Sequence, residues 1–168
     1  LVDNFASLWR DFDLHAIEDP FHGGDLVAYR ALKLKIASSV GTEPSLQPLE
    51  VVGDHFVNSH EDVERLADEA FISTTMLRLE KFKTVSGCIA CARRTRAAGW
   101  SIIVGCSELA YDTGDDFIID LAVGLNAGRV RIGGVNAAQT SDKLNRLLQI
   151  EEQAALEELH FAGDNYRT

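Results

Sequence analysis

Cysteine is scarce in this chain and odd in number. Three thiols, Cys88, Cys91 and Cys106, in 168 residues cannot build a disulfide framework, and they suit a reducing compartment. Basic residues are outnumbered. Sixteen Lys and Arg face twenty-six Asp and Glu, a formal charge of −10, so the basic face that a nucleic-acid partner requires is not expected. No apolar run approaches the roughly 20 residues that span a bilayer. No secretory pattern opens the chain either. A membrane partner is therefore excluded from the reading, and a cytoplasmic location is expected. Proline occurs only at positions 20, 44 and 48. The first residue is Leu1 and not Met, so further sequence is expected upstream.

What remains is an ordinary globular composition, 46% apolar and 25% charged, in one domain spanning 1–168. Its organising unit is Ala16-Ile17-Glu18-Asp19-Pro20-Phe21. An apolar run delivers a carboxylate, and Pro20 then stops the strand. The pattern returns. Val51-Val52-Gly53 ends in Asp54, Thr75-Met76-Leu77 in Arg78, Ile102-Ile103-Val104-Gly105 in Cys106, and the short run at Val130 in Arg131. Ionised or reactive side chains at the ends of apolar runs need partners.

Helical segments alternate with these runs. A leading helix is predicted over Leu1–Arg10, broken at Asp13, before a strand over Leu14–Glu18. Asp25 caps a helix reaching about Ala37, with Leu26, Tyr29, Leu32 and Ile36 on one side. Ser38–Leu49 reads as a surface loop. Ser59 and Asp62 form a capping pair for a helix to Ala70. Ile72–Leu79 reads as a strand, Thr84–Ala98 as a helix ended by Gly99, and Trp100–Gly105 as a strand. An acidic loop, Cys106–Gly114, precedes a helix over Asp115–Asn126 ended near Gly128. Arg129–Ile132 is a short strand, Ser141–Leu156 a helix, and Phe161–Thr168 an irregular tail.

The fold class is therefore α/β, with five β/α units. Parallel strands joined by right-handed crossovers place polar strand ends along one edge. A closed barrel needs eight strands, and its chemistry sits at their carboxyl ends. On these grounds the chain is either the carboxyl-terminal part of such a barrel or an open sheet with helices on both faces.

Several segments, in order, resemble the enolase (phosphopyruvate hydratase) family. Ile17-Glu18-Asp19-Pro20-Phe21 resembles an enolase strand end, and Val51-Val52-Gly53-Asp54 resembles its Val-Gly-Asp-Asp. Ala97-Ala98-Gly99-Trp100 is similar to the Asn-Gly-Trp or Ala-Gly-Trp opening a later strand. Residues Asp116 to Leu125 are similar to its Asp-Thr-Phe-Ile-Ala-Asp-Leu-Val-Val-Gly-Leu helix. Leu144 to Glu152 resembles the last barrel helix, and Phe161 to Asn165 the tail. The resemblance implies the carboxyl-terminal portion of an enolase-type barrel, with the amino-terminal domain and first strands outside this sequence.

It also implies Mg²⁺-dependent conversion of 2-phosphoglycerate to phosphoenolpyruvate, with a lysine as the base. Glu18 and Asp54 match two metal-binding carboxylates; a third, and the catalytic glutamates, would lie upstream of Leu1. The other positions depart from the family. The base lysine falls on Arg78, a permanently charged guanidinium that is a poor proton acceptor. The lysine that binds the substrate carboxylate falls on Arg131. Where the family has Ser-His-Arg-Ser, this chain has Gly105-Cys106-Ser107-Glu108, so Cys106 takes the histidine position and the phosphate grip is lost. No His, Lys or Arg lies between Ala98 and Arg129 to restore it. His55 replaces the second Asp of Val-Gly-Asp-Asp.

The expected reading is a degenerate enolase-like fold with a structural role in a larger assembly. The rival is an active hydratase in which arginines replace lysines. Mg²⁺ is expected if the metal site is retained, and no cofactor otherwise. In the latter case Glu18 and Asp54 are structural carboxylates paired with Arg78 or Arg131. Partners implied are the remaining amino-terminal half, a larger assembly, or a second copy in an enolase-like homodimer. Divergent enolase-like proteins of sperm and flagella add the flagellar axoneme as an alternative location. Of the remaining chemistry-bearing residues, Cys88 and Cys91 read as buried small residues of a helix, and the thiol of Cys106 lacks a nearby histidine. His55 and His60 sit too loosely around Asp54 to form a clear transition-metal site. Glu108, Asp112, Asp115 and Asp116 read as a solvated loop and helix start.

Overall fold

A computed structural model describes residues 1–43, 45–69, 71–106, 115–134, 138–156, 163 and 166. Five parallel strands form one sheet in sequential order: β1 (Ala16–Glu18), β2 (Glu50–Gly53), β3 (Thr74–Arg78), β4 (Ser101–Gly105) and β5 (Arg129–Arg131). This is a half-barrel with its helices on the outside, the first of the two architectures that five β/α units allow.

The register sorts side chains by strand parity. Ile17, Val51, Leu77, Ile102, Val104 and Val130 join the helix-facing core. Ala16, Val52, Met76 and Ile103 form a separate, smaller apolar layer on the concave side. By the same alternation Glu18, Asp54, Arg78, Gly105 and Arg131 face inward, one level nearer the carboxyl ends. Gly105 is tightly confined there: a Cβ would lie 2.8 Å from Met76 Sδ.

The leading helix α1 covers Val2–Asp11, and Asp13 follows with a left-handed φ of 49°. Helix α2 runs Leu26–Thr42, capped by the Asp25 side chain. It continues past the predicted end at Ala37 to Thr42, with the hydroxyls of Ser38, Ser39 and Thr42 donating to carbonyls of the preceding turn. The predicted loop shortens accordingly. Helix α3 (His60–Ala67) has the reciprocal Ser59/Asp62 capping box.

The predicted strand end at Leu79 is corrected. Leu79–Phe82 is a one-turn helix, α4, stopped by Lys83 at φ 62°. Helix α5 (Val85–Ala97) begins at a Thr84 cap and ends at Gly99, φ 75°. There the Gly99 N–H donates to Arg96 O and the Trp100 N–H to Thr95 O, a Schellman closure that needs the left-handed glycine. Helix α6 (Phe117–Gly124) closes in the same way on Asn126, φ 49°, and not at the predicted Gly128. Helix α7 (Ala138–Leu156) starts three residues before the predicted Ser141. It is tied to α6 by the Arg146–Asp120 pair, at 2.9 and 2.6 Å, which holds the Asp120 carboxyl below its usual range.

One aromatic cluster sets the height of the two loops that matter most. Tyr29 packs edge-on against Phe21 (5.2 Å) and Phe56 (4.8 Å), and touches Phe71. Its hydroxyl donates to Phe21 O at 2.8 Å, and burial pushes its pKa up to about 12. Phe21 follows the end of β1 and Phe56 follows the end of β2. The loops leaving both strands are thereby anchored to α2.

Candidate functional site

The carboxyl ends of the strands converge on one mouth. Glu18 ends β1 and Asp54 follows β2. Arg78 ends β3, Cys106 follows β4, and Arg131 ends β5. Side-chain contacts join these residues into two groups. Arg131 Nη1 donates to Glu18 Oε1 at 2.9 Å, across the concave face from the last strand to the first. The Cys106 thiol is half-buried and points to Arg131 O at 3.7 Å. Arg78 grips Asp54 with two donors: Nε reaches Oδ1 at 2.9 Å and Nη2 pairs with Oδ2. This is the fork geometry that suits a guanidinium to a carboxylate. Ser107 and Glu108 lie outside the described residues, as does Asp112.

Two residues at this mouth were not singled out from the sequence. The first is Lys81, on α4. Its Nζ donates to Asp54 Oδ1 at 2.9 Å and also contacts the Asp54 carbonyl. The signal was present as a lysine three positions past a strand-end arginine, but it becomes legible only once a helical turn follows Arg78 directly. The second is Asp19, which follows the strand-end Glu18 directly. It has φ 41°, and its carboxylate accepts the backbone N–H groups of Asp54 (3.3 Å) and His55 (3.2 Å) and pairs with the His55 ring. Asp19 thus latches the end of β1 to the end of β2.

Glu18, Asp19 and Asp54 each offer an oxygen within 4.8 Å of the others, a spacing that could hold a metal ion. The oxygens are already engaged, however. Asp54, only 4% exposed, faces one guanidinium and one ammonium. Glu18 faces a second guanidinium, and Asp19 faces two N–H groups and a histidine. A divalent ion would have to displace fixed cations whose like charge repels it. The carboxylates fit Mg²⁺ in spacing and not in charge.

His60 stands apart, paired with Glu61 at 3.0 Å on α3. Cys88 and Cys91 are fully buried on α5, free of disulfide, and burial pushes both thiols up to about 11. That is the inert environment expected for structural cysteines. Asp115 caps the start of α6 through the Phe117 N–H at 2.9 Å. At the opposite end of the strands the buried Glu50 accepts from Thr74 and pairs with Arg129, whose guanidinium lies 5.5 Å from the Tyr166 ring. In a barrel this amino-terminal end serves stability.

A parallel β/α half-barrel with its charged residues gathered at the carboxyl strand ends defines a segment of an α/β barrel. The particular family follows from comparison: residues 1–168 match the enolase C-terminal TIM barrel domain throughout, and the chain belongs to that family. It is 30% identical over 169 residues to Enolase 2 of Hevea brasiliensis, covering 100% of this chain and 35% of the relative. It is 30% identical over 168 residues to an enolase of Eimeria tenella and 29% identical over 168 residues to that of Solanum lycopersicum, in each case 99% of this chain and 35% of the relative. The chain therefore spans about a third of the length of these curated relatives. Among the described residues, no helix is long and apolar enough to cross a membrane.

Proposed function

We propose that this chain is a catalytically degenerate enolase-family barrel segment that serves a structural role within a larger cytoplasmic assembly, axonemal structures included. The observation that carries the reading is the state of Arg78. At the position where the resemblance expects a base, the side chain is permanently protonated and both ends of its fork are spent on Asp54. A general base must be unprotonated and free to reach its proton. The position expected to hold the substrate carboxylate is similarly committed, since Arg131 is paired with Glu18. Free, buried thiols fit a reducing compartment. The amino-terminal remainder of an enolase, or a second copy as in enolase homodimers, is the natural partner for the open sides of a half-barrel.

One observation favours the rival, an active hydratase. Arg78 and Arg131 keep the positive charge of the two lysines and stand at the same mouth as the acidic cluster. The discriminating experiment assays the full-length parent protein for phosphoenolpyruvate formation from 2-phosphoglycerate with Mg²⁺. No turnover is expected, and no rise in melting temperature on adding substrate and Mg²⁺. Turnover in the range of ordinary enolases, abolished by Arg78→Ala, would replace the structural reading with the rival.

A further inference from the structure

We propose that Lys81, together with Arg78, is a resident cation of this mouth: two tethered charges occupy Asp54 and exclude divalent metal from the acidic cluster. The inference rests on the degenerate reading above and extends it to a residue with no place in that reading's base or substrate positions.

The backbone explains why Lys81 reaches the site. Helix α4 begins at the residue after Arg78 and lasts one turn, and the left-handed Lys83 stops it through a Lys83 N–H to Leu79 O bond of 2.8 Å. One tight turn after the strand end carries the third residue back over the neighbouring strand end. There Nζ meets two oxygens of the same residue, the Asp54 carboxylate and the Asp54 carbonyl. An ammonium that bridges a carboxylate and a backbone carbonyl takes the oxygen donors a hard cation would use.

Charge supports the same conclusion. Glu18, Asp19 and Asp54 bring three negative charges to the cluster. Arg78, Lys81 and Arg131 bring three positive charges in direct contact with two of those carboxylates, and the His55 ring stands on the third. The cluster is neutralised from within the chain. Asp54 and its two partners are also well buried, at 5%, 14% and 17% of side-chain area, so solvent screens their charges little.

Mn²⁺ binding, read by the loss of the free-ion electron paramagnetic resonance signal, tests the proposal on the wild-type protein, on Lys81→Met, and on Arg78→Met/Lys81→Met. The wild type should show no saturable binding up to millimolar Mn²⁺. Lys81→Met keeps the Arg78 clamp, so its fold is secured, and it should gain binding by at least about tenfold in affinity. The double variant should gain more, and adding Asp54→Asn to either should abolish the gain. Saturable binding by the wild type that Asp54→Asn removes would overturn the proposal. So would Lys81→Met and the double variant both failing to bind; if the double variant does not fold, the single variant decides. Enolase turnover by the wild type would sink the degenerate reading itself, whereas an inactive protein that binds Mn²⁺ through Asp54 would sink only the role of Lys81.

Discussion

Replacing Asp54 by Asn should cost far more than replacing Glu18 by Gln, although both are strand-end carboxylates paired with arginine. Asp54 is 5% exposed in its side chain, and its partners Arg78 and Lys81 are 14% and 17% exposed. Removing its charge leaves two cations close together with little solvent to screen them and no carboxylate in direct contact, Glu18 and Asp19 being engaged elsewhere. Breaking a buried pair in this way costs roughly 3–5 kcal/mol. The residual access of both cations places the expected loss near the lower end, about 3 kcal/mol. For a domain of this length that lowers the melting temperature by roughly 6–12 °C. Glu18 and Arg131 are 37% and 34% exposed, so their pair falls in the surface class, at most about 1 kcal/mol. Thermal unfolding followed by circular dichroism gives both values on the same preparation. A double-mutant cycle of Asp54→Asn with Arg78→Met isolates the pair term, which should be about 2 kcal/mol. If Asp54→Asn loses no more than Glu18→Gln, or the cycle returns a coupling near zero, the burial argument for the Asp54 clamp is wrong.

The other predictions concern the scaffold and the thiols. With Ellman's reagent, Cys106 should react in the native state, while Cys88 and Cys91 should react only after denaturation. The folded pKa of these two thiols is raised from 9.0 to about 11, so the stability they contribute is intact below pH 9 and lost as pH rises toward 11. Cys88→Ala/Cys91→Ala should flatten that alkaline slope in melts taken across the interval. Asp62 shifts the other way. Burial opposes its charge, but donors from Arg65, Asn58 and Ser59 prevail and hold its carboxyl below 3.8. Its contribution is therefore present above pH 3.8 and disappears as pH falls below that value, and Asp62→Asn should weaken this part of the acid transition. Ser59→Ala removes the other half of the capping box and should cost about 1 kcal/mol in chemical denaturation. Tyr29→Phe should cost about 1 kcal/mol by leaving Phe21 O without its donor. If the degenerate reading proposed above holds, Arg78→Lys with Cys106→His in the full-length parent should yield little turnover, because the phosphate-holding loop that follows Val104 differs as well and Lys81 still engages Asp54.

The elements were legible wherever periodicity and caps agreed. Ser59/Asp62, Thr84 and Gly99 marked helix ends that the structure places within a residue or two. The five strand-end residues were legible because an apolar run that ends in a charge has few physical explanations. What sequence reasoning missed lay where a short-range rule yielded to a local hydrogen bond. Helix α2 ran on to Thr42 with its serine and threonine hydroxyls bonded back to the preceding turn, and Asn126 took the left-handed position expected of glycine. Asp19 and Lys81 were missed for a different reason. Each acts on a strand that is not its own, and the reach of a side chain between neighbouring strand ends depends on backbone turns, φ 41° at Asp19 and the single helical turn at α4, that no spacing announces.

The double hold on Asp54 also bears on how such a protein can change over generations. Because one carboxylate is shared by a guanidinium and an ammonium, losing either leaves it still paired with the other, at a smaller cost than losing the carboxylate itself. Drift at one of the two positions is thereby cushioned. On the degenerate reading proposed above, the same redundancy bars a stepwise return: a lineage that acquired a lysine at position 78 would find the aspartate still held by Lys81, with nothing yet for selection to reward. The arrangement works as a ratchet.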